Sequence, residues 1–190
     1  LFNGFDGKPS TSSTSTIRVG KSAFEGCTNI IGPLDISHIS PISERAFYGC
    51  SSLTGELKFY SSLITINNHI FDGCRSLTGP IVWPSPQPPT YITSIGEYAF
   101  NGCSGLSGNL NLPERVSVVK QHAFHGCSGL TGPIVVPTIL TKIEKYAFAG
   151  CSSLSDSIKI NVGSGTTIER NAFDGCTGFK DGTLTIFIEN

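Results

Sequence analysis

The side chains of this chain best able to do chemistry are seven cysteines and four histidines. The cysteines are Cys27, Cys50, Cys74, Cys103, Cys127, Cys151 and Cys176, spaced 23, 24, 29, 24, 24 and 25 residues apart. Thiols in such numbers raise two possibilities, disulfides and metal ligation. An odd number cannot pair completely within one chain. No Cys-x-x-Cys or Cys/His knuckle spacing is present for a metal. His122 and His125 lie close to Cys127 and invite a metal reading. Yet His122 shares its slot with Ser22, Arg45, His69, Tyr98, Tyr146 and Asn171, and the slot of His125 is filled elsewhere by Tyr48, Asp72, Asn101 or Ala149. Slots that accept so many side chains are expected to face solvent, so neither a metal nor another cofactor is expected. Glycosidic hydrolysis would need carboxylates clustered on one strand face. No such pair is found, nor a Gly-x-Ser-x-Gly, a phosphate-binding glycine loop or a zinc-protease helix. The chain is not expected to be an enzyme.

What the cysteines share is a setting. Each follows a phenylalanine by three residues: Phe24, Phe47, Phe71, Phe100, Phe124, Phe148 and Phe173. A glycine stands directly before each cysteine. The phenylalanine follows alanine, or Ile70 in one repeat, and an isoleucine or valine lies four residues before that alanine, from Val19 to Ile168. A leucine or other apolar residue usually stands three places after the cysteine. Self-similarity at a fixed period of this size marks a solenoid. A second segment recurs with the first, as "GPLDI" at 32–36, "GELKF" at 55–59, "GPIVW" at 79–83, "GNLNL" at 108–112 and "GPIVV" at 132–136. Its closing residues alternate apolar, variable, apolar, the period of a strand with one buried face. Pro84, Pro113 and Pro137 then end the strand, because proline has no amide hydrogen to give a ladder.

Each coil therefore predicts a short strand, a turn, a second apolar contact and a compact Ala-Phe-x-Gly-Cys turn. That last turn is too short for a free helix and reads as a turn of 3₁₀ or α-helix closed by glycine. Stacked coils would share one core, with the cysteines as a column of thiols inside it. Rungs roughly 4.8 Å apart would also permit a disulfide between neighbours on Cα separation, provided the side chains twist together. The expected organisation is a degraded or truncated half-repeat at 1–16 followed by one array of about seven coils at 17–190. "LFNGF" at 1–5 resembles the repeated turn, and "GTLTIFIEN" ends the chain on an apolar strand without a polar cap. Together with the absence of methionine and of any visible signal peptide, this reads as a processed chain or a fragment. An uncapped coil also offers a route to self-association.

Bulk properties narrow the partners. The net charge is −1 and only 14 % of residues are charged, which gives nucleic acid and anionic membranes nothing to attract. No apolar run approaches the roughly 20 residues of a spanning helix.

"LTKIEKYAFAGCSSLSDSIKI" and "YITSIGEYAFNGCSGLSGNLNLP" resemble the BspA-type, or Treponema pallidum type, leucine-rich repeat, and the resemblance covers about residues 17–188. It implies an α/β solenoid, a right-handed leucine-rich-repeat superhelix with short parallel strands on a concave side and short 3₁₀ or α turns. It also implies a surface-displayed or secreted protein that serves adhesion and protein binding rather than catalysis. The partner implied is a protein ligand, such as a host or matrix protein. Seven buried thiols fit a reducing compartment as well as an oxidising one, and no Asn-x-Ser/Thr site is present. The extracellular expectation therefore rests on the resemblance.

Two features do not repeat and are the candidate binding elements. One is the outward mid-strand row Asp35, Lys58, Val82, Asn111, Val135 and Lys159, with Tyr60 beside it. Aligned rungs turn such a row into an extended surface, either merely solvated or a protein-contact face flanked by Lys58 and Lys159. The other is "PSPQPPT" at 84–90, which lengthens one coil and presents Pro86, Gln87 and Pro88 in a segment suited to polyproline II geometry. It reads as a tolerated length variant or as a recognition loop. The alternative to a binding module is a structural scaffold that spaces or assembles other parts.

Overall fold

The computed structural model describes residues 17–59, 65–84, 92–154, 160–163, 165–178 and 186–189. Tyr60, Pro86, Gln87, Pro88 and Lys159 lie outside these residues, as does the expected half-repeat at 1–16. Among the described residues the strands are β1 (Ile17–Val19), β2 (Gly32–Pro33), β3 (Ile39–Ile42), β4 (Leu53–Thr54), β5 (Ser94–Ile95), β6 (Gly108–Asn111), β7 (Val118–Val119), β8 (Leu130–Val135), β9 (Lys142–Ile143), β10 (Ile160–Gly163), β11 (Thr167–Ile168) and β12 (Ile186–Glu189).

The strands alternate between two parallel strips, as coils stacked on one another require. The odd-numbered strands carry the Ile/Val column, with β1 on β3 and the order β5-β7-β9-β11 beyond. Val119 lies opposite Ile143, and Ile143 opposite Ile168. The even-numbered strands carry the second repeated segment, pairing β2 with β4, β6 with β8 and β10 with β12. Isolated parallel bridges Gly55 to Leu77, Lys58 to Val82 and Gly79 to Leu106 continue this strip.

Alternation of side chains buries one face of each rung. Leu57, Phe59, Ile81, Leu110, Leu112, Ile134 and Val136 are buried, whereas Val82 and Val135 between them are 38 % and 45 % exposed. The phenylalanines form one face-to-face column from Phe24 to Phe173, with ring centroids 5.1–5.9 Å apart. Each fully buried ring removes enough apolar surface to contribute roughly 1.5–3 kcal/mol. Repetition turns these contributions into one continuous core.

No helix occurs among the described residues, so the expected 3₁₀ or α turns and the α/β character are not seen there, and tight turns join the strands. The hydrogen bonds of the repeated turn explain the difference. Ala46, Tyr48 and Cys50 donate three residues back, to Ser43, Arg45 and Phe47. The amides between them point to the next coil instead: Arg45 to Asn68, Phe47 to Ile70 and Gly49 to Asp72. A continuing helix would turn successive amides back on its own carbonyls rather than send alternate ones to a neighbouring coil. The outward amides require left-handed backbone at Arg45 (φ 58°) and Gly49 (φ 70°). Glycine adopts that region freely, but arginine does so at a steric cost.

Candidate functional site

All seven cysteines are unpaired; five are buried, and Cys27 and Cys176 are half-buried. From the second repeat onward each Sγ–H points at the carbonyl of the preceding coil's phenylalanine. Cys50 meets Phe24 at 2.9 Å, Cys127 meets Phe100 at 3.1 Å and Cys176 meets Phe148 at 3.1 Å. The thiol is thus a small core group with one weak donor, used to tie coil to coil. Burial raises Cys50 and Cys176 to about 11 and pushes Cys74, Cys103, Cys127 and Cys151 higher still. A thiol held neutral this firmly is neither a nucleophile nor a metal ligand.

The histidine slot departs from the sequence expectation. His69, Tyr98, His122 and Tyr146 are half-buried and stacked ring on ring, with centroids 4.8, 4.6 and 5.1 Å apart, rather than turned out to solvent. Each has φ between 53° and 59°. Coil stacking brings the rings to contact distance, and the contact offsets part of the left-handed backbone cost. His122 Nδ1 is buried without a partner. Burial first, then the nearby His125 and Lys145, lower the His122 pKa. Beside this stack runs a polar chain. Asp72 is bonded to His69 Nδ1 at 2.8 Å and to Asn101 Nδ2 at 2.7 Å, and Asn101 Oδ1 lies 2.8 Å from His125 Nδ1. The signal was legible only as flat rings recurring in one slot. Among the described residues no group of three or more His, Cys, Asp or Glu is gathered to hold a metal ion.

The outward row is placed by the even-numbered strip. Lys58 is bridged to Val82, and Asn111 stands in register with Val135. All four are exposed, as is Asp35. Asp35 accepts the Ser37 amide at 2.8 Å, the main reason its carboxyl titrates below the usual range. Lys58 lies 3.0 Å from Glu56 on its own rung. The described part of the expected row is therefore Asp35, the bridged pair Lys58 and Val82, and the paired Asn111 and Val135.

Two shallow grooves cross this face. The smaller, about 310 Å³, lies between Pro33, Asp35 and Ile36 on one side and Glu56 and Lys58 on the other. The larger, about 560 Å³, lies between the rung at 80–84 and the rung at 108–114. The sequence announced the surplus residues of this interval but not the groove beside them. Inserted length reads as a loop, whereas the parting of its two rungs depends on packing.

Comparison with known proteins agrees with this architecture. The model of the BspA-type leucine-rich repeat region matches residues 17–128 and 84–189, in six copies. No curated protein gives a significant match. Among solved structures, the Treponema pallidum leucine-rich repeat protein is 28 % identical with a TM-score of 0.59, over 83 % of this chain and 68 % of its own. A leucine-rich cell surface protein of Faecalibacterium prausnitzii is 24 % identical (TM-score 0.38; 77 % of this chain, 39 % of its own). A leucine-rich repeat protein of Bacteroides ovatus is 21 % identical (TM-score 0.34; 86 % of this chain, 57 % of its own). The repeated Ala-Phe-x-Gly-Cys turn, the parallel strips and the family match together place this chain in the BspA-type leucine-rich repeat family.

Proposed function

We propose that this chain is a non-enzymatic protein-binding and adhesion module, displayed at the cell surface or secreted, that holds a protein ligand on its sheet face. The observation that carries the reading is the division of labour within each rung. The repeating residues are consumed by the core, while the non-repeating ones at Asp35, Lys58, Val82, Asn111 and Val135 are exposed on one side. A parallel array with exposed apolar residues among polar ones suits contact with another protein. Tyr60, Lys159 and the Pro86–Gln87–Pro88 loop belong to the same proposal on sequence grounds, as does the treatment of 17–190 as a single array. Membership of the BspA-type leucine-rich repeat family supports surface display and a host or matrix protein as the partner. No helix of the described residues is long and apolar enough to cross a membrane.

The test is capture from a panel of immobilised extracellular-matrix proteins. Val82→Glu combined with Lys58→Glu is expected to abolish capture with the thermal transition unchanged. Capture that survives this change would place binding elsewhere. A scaffold role, in which the array spaces or assembles other parts, is the second reading. It would show as mass that rises with concentration in solution and does not respond to the sheet-face variant.

A further inference from the structure

Among the described residues the even-numbered ladder lapses in more than one place, and one of these lapses adjoins the lengthened coil. Lys58 is bridged to Val82, and Asn111 pairs with Val135, but no pairing joins Val82 to Asn111. Among the described residues no backbone hydrogen bond links 80–84 to 109–113. The two rungs are still held at one end by the Gly79 to Leu106 bridge, and the odd-numbered strip is held by the Ile66 to Ile95 bridge. The lapse is therefore a local wedge, and the larger groove fills it. A similar lapse between Asp35 and Lys58 carries only the smaller groove, flanked by the Glu56–Lys58 ion pair.

We infer that this wedge binds a short extended peptide, laid between the two rungs. The inference rests on the sheet-face reading and names the class of ligand. Three observations support it. First, the two facing strand edges are not bonded to each other among the described residues, and such edges are templates for another strand, which bonds through main-chain groups. Second, the banks are formed by Val82, Trp83 and Pro84 on one side and Asn111, Pro113 and Glu114 on the other. Apolar side chains of alternate peptide residues would meet the valine and prolines, and the Asn111 amide both donates and accepts toward a peptide bond. Third, the one charged group lining the groove is the Glu114 carboxylate, which favours a peptide with a basic residue at that end. A volume of about 560 Å³ lies within the roughly 300–1,000 Å³ of sites that enclose small ligands, so only a few residues would be held.

Trp83 is the only tryptophan of the chain, which makes the wedge self-reporting. The experiment titrates Trp83 emission of the 190-residue chain with a positional-scanning library of capped heptapeptides. Its controls are the same library with N-methylated backbones and a set of neutral oligosaccharides. The expected result is a saturable emission change from peptides that carry apolar residues at alternate positions and a terminal lysine or arginine. That change should vanish on N-methylation, weaken at least tenfold in Val82→Glu and persist in Ile139→Glu, a change at an exposed apolar residue that does not line the groove. Glu114→Gln should erase the preference for the basic residue. The inference is overturned by silence across the whole library, by an equal response to N-methylated peptides, or by a response to oligosaccharides alone. Loss of the peptide response with matrix-protein capture intact would overturn the wedge and leave the sheet-face reading standing. The reverse pattern would remove the adhesion role but keep the wedge.

Discussion

The cysteine is the residue whose role changes most between sequence and structure. Its recurrence looks like chemistry, and its surroundings make it a core group with a donor. That distinction can be measured at Cys127. Alanine removes the donor along with the sulfur, and loss of an ordinary hydrogen bond is worth about 0.5–1.5 kcal/mol, an upper bound for a weak thiol donor. Serine keeps a donor, so Cys127→Ser should be at least as stable as Cys127→Ala in denaturant titrations. Serine falling more than about 1 kcal/mol below alanine would reduce the thiol to packing alone. His122 offers a second test at this scale. Its folded pKa is depressed, so below the ordinary histidine value the unfolded chain takes up a proton that the folded chain resists. Stability is then full above about pH 6.5 and declines on acidification through that value. His122→Tyr, which extends the rings of Tyr98 and Tyr146 without this titration, should flatten the loss of Tm between about pH 7 and about pH 5. An unchanged slope would assign the acid sensitivity to other groups.

At the scale of the element, the strands and the apolar columns were legible, and the geometry of the turn was not. Val19 to Ile168 and Phe24 to Phe173 repeat in kind, so their burial follows from stacking alone. The left-handed slot is filled by Ser22, Arg45, His69, Tyr98, His122, Tyr146 and Asn171, residues with no common chemistry. What they share is a backbone conformation, and sequence reports that only when glycine occupies the position. This slot also explains why a helix was expected where none forms: the turn has helix-like local bonds at every second amide. Asn171 is exposed and stands at φ 59°. Asn171→Gly should be neutral or stabilising. Asn171→Val, whose branched side chain suits that region poorly, should cost about 1–2 kcal/mol. Equal stabilities in thermal melts would contradict a left-handed backbone at this position.

The whole molecule is a stack in which repetition serves stability, and in the proposed function departure from repetition serves contact. The sheet-face row was readable from the alternation of each rung, because a residue between two buried neighbours must point outward. Its division by a wedge was not readable, since the lengthened interval shows in the sequence as added loop while the lapse in pairing depends on how 80–84 and 108–114 settle against each other. The central claim is that contact belongs to this face and not to the stacked rings at the turn. It is tested most directly by surface plasmon resonance on one captured matrix protein, comparing the parent chain, the Val82→Glu with Lys58→Glu variant and a Tyr98→Ser variant at matched folded fraction. Binding at the sheet face predicts at least a tenfold loss in the first variant and less than a twofold change in the second, roughly 1.4 kcal/mol against under about 0.4 kcal/mol. Undiminished binding by the sheet-face variant, or loss confined to Tyr98→Ser, would contradict it.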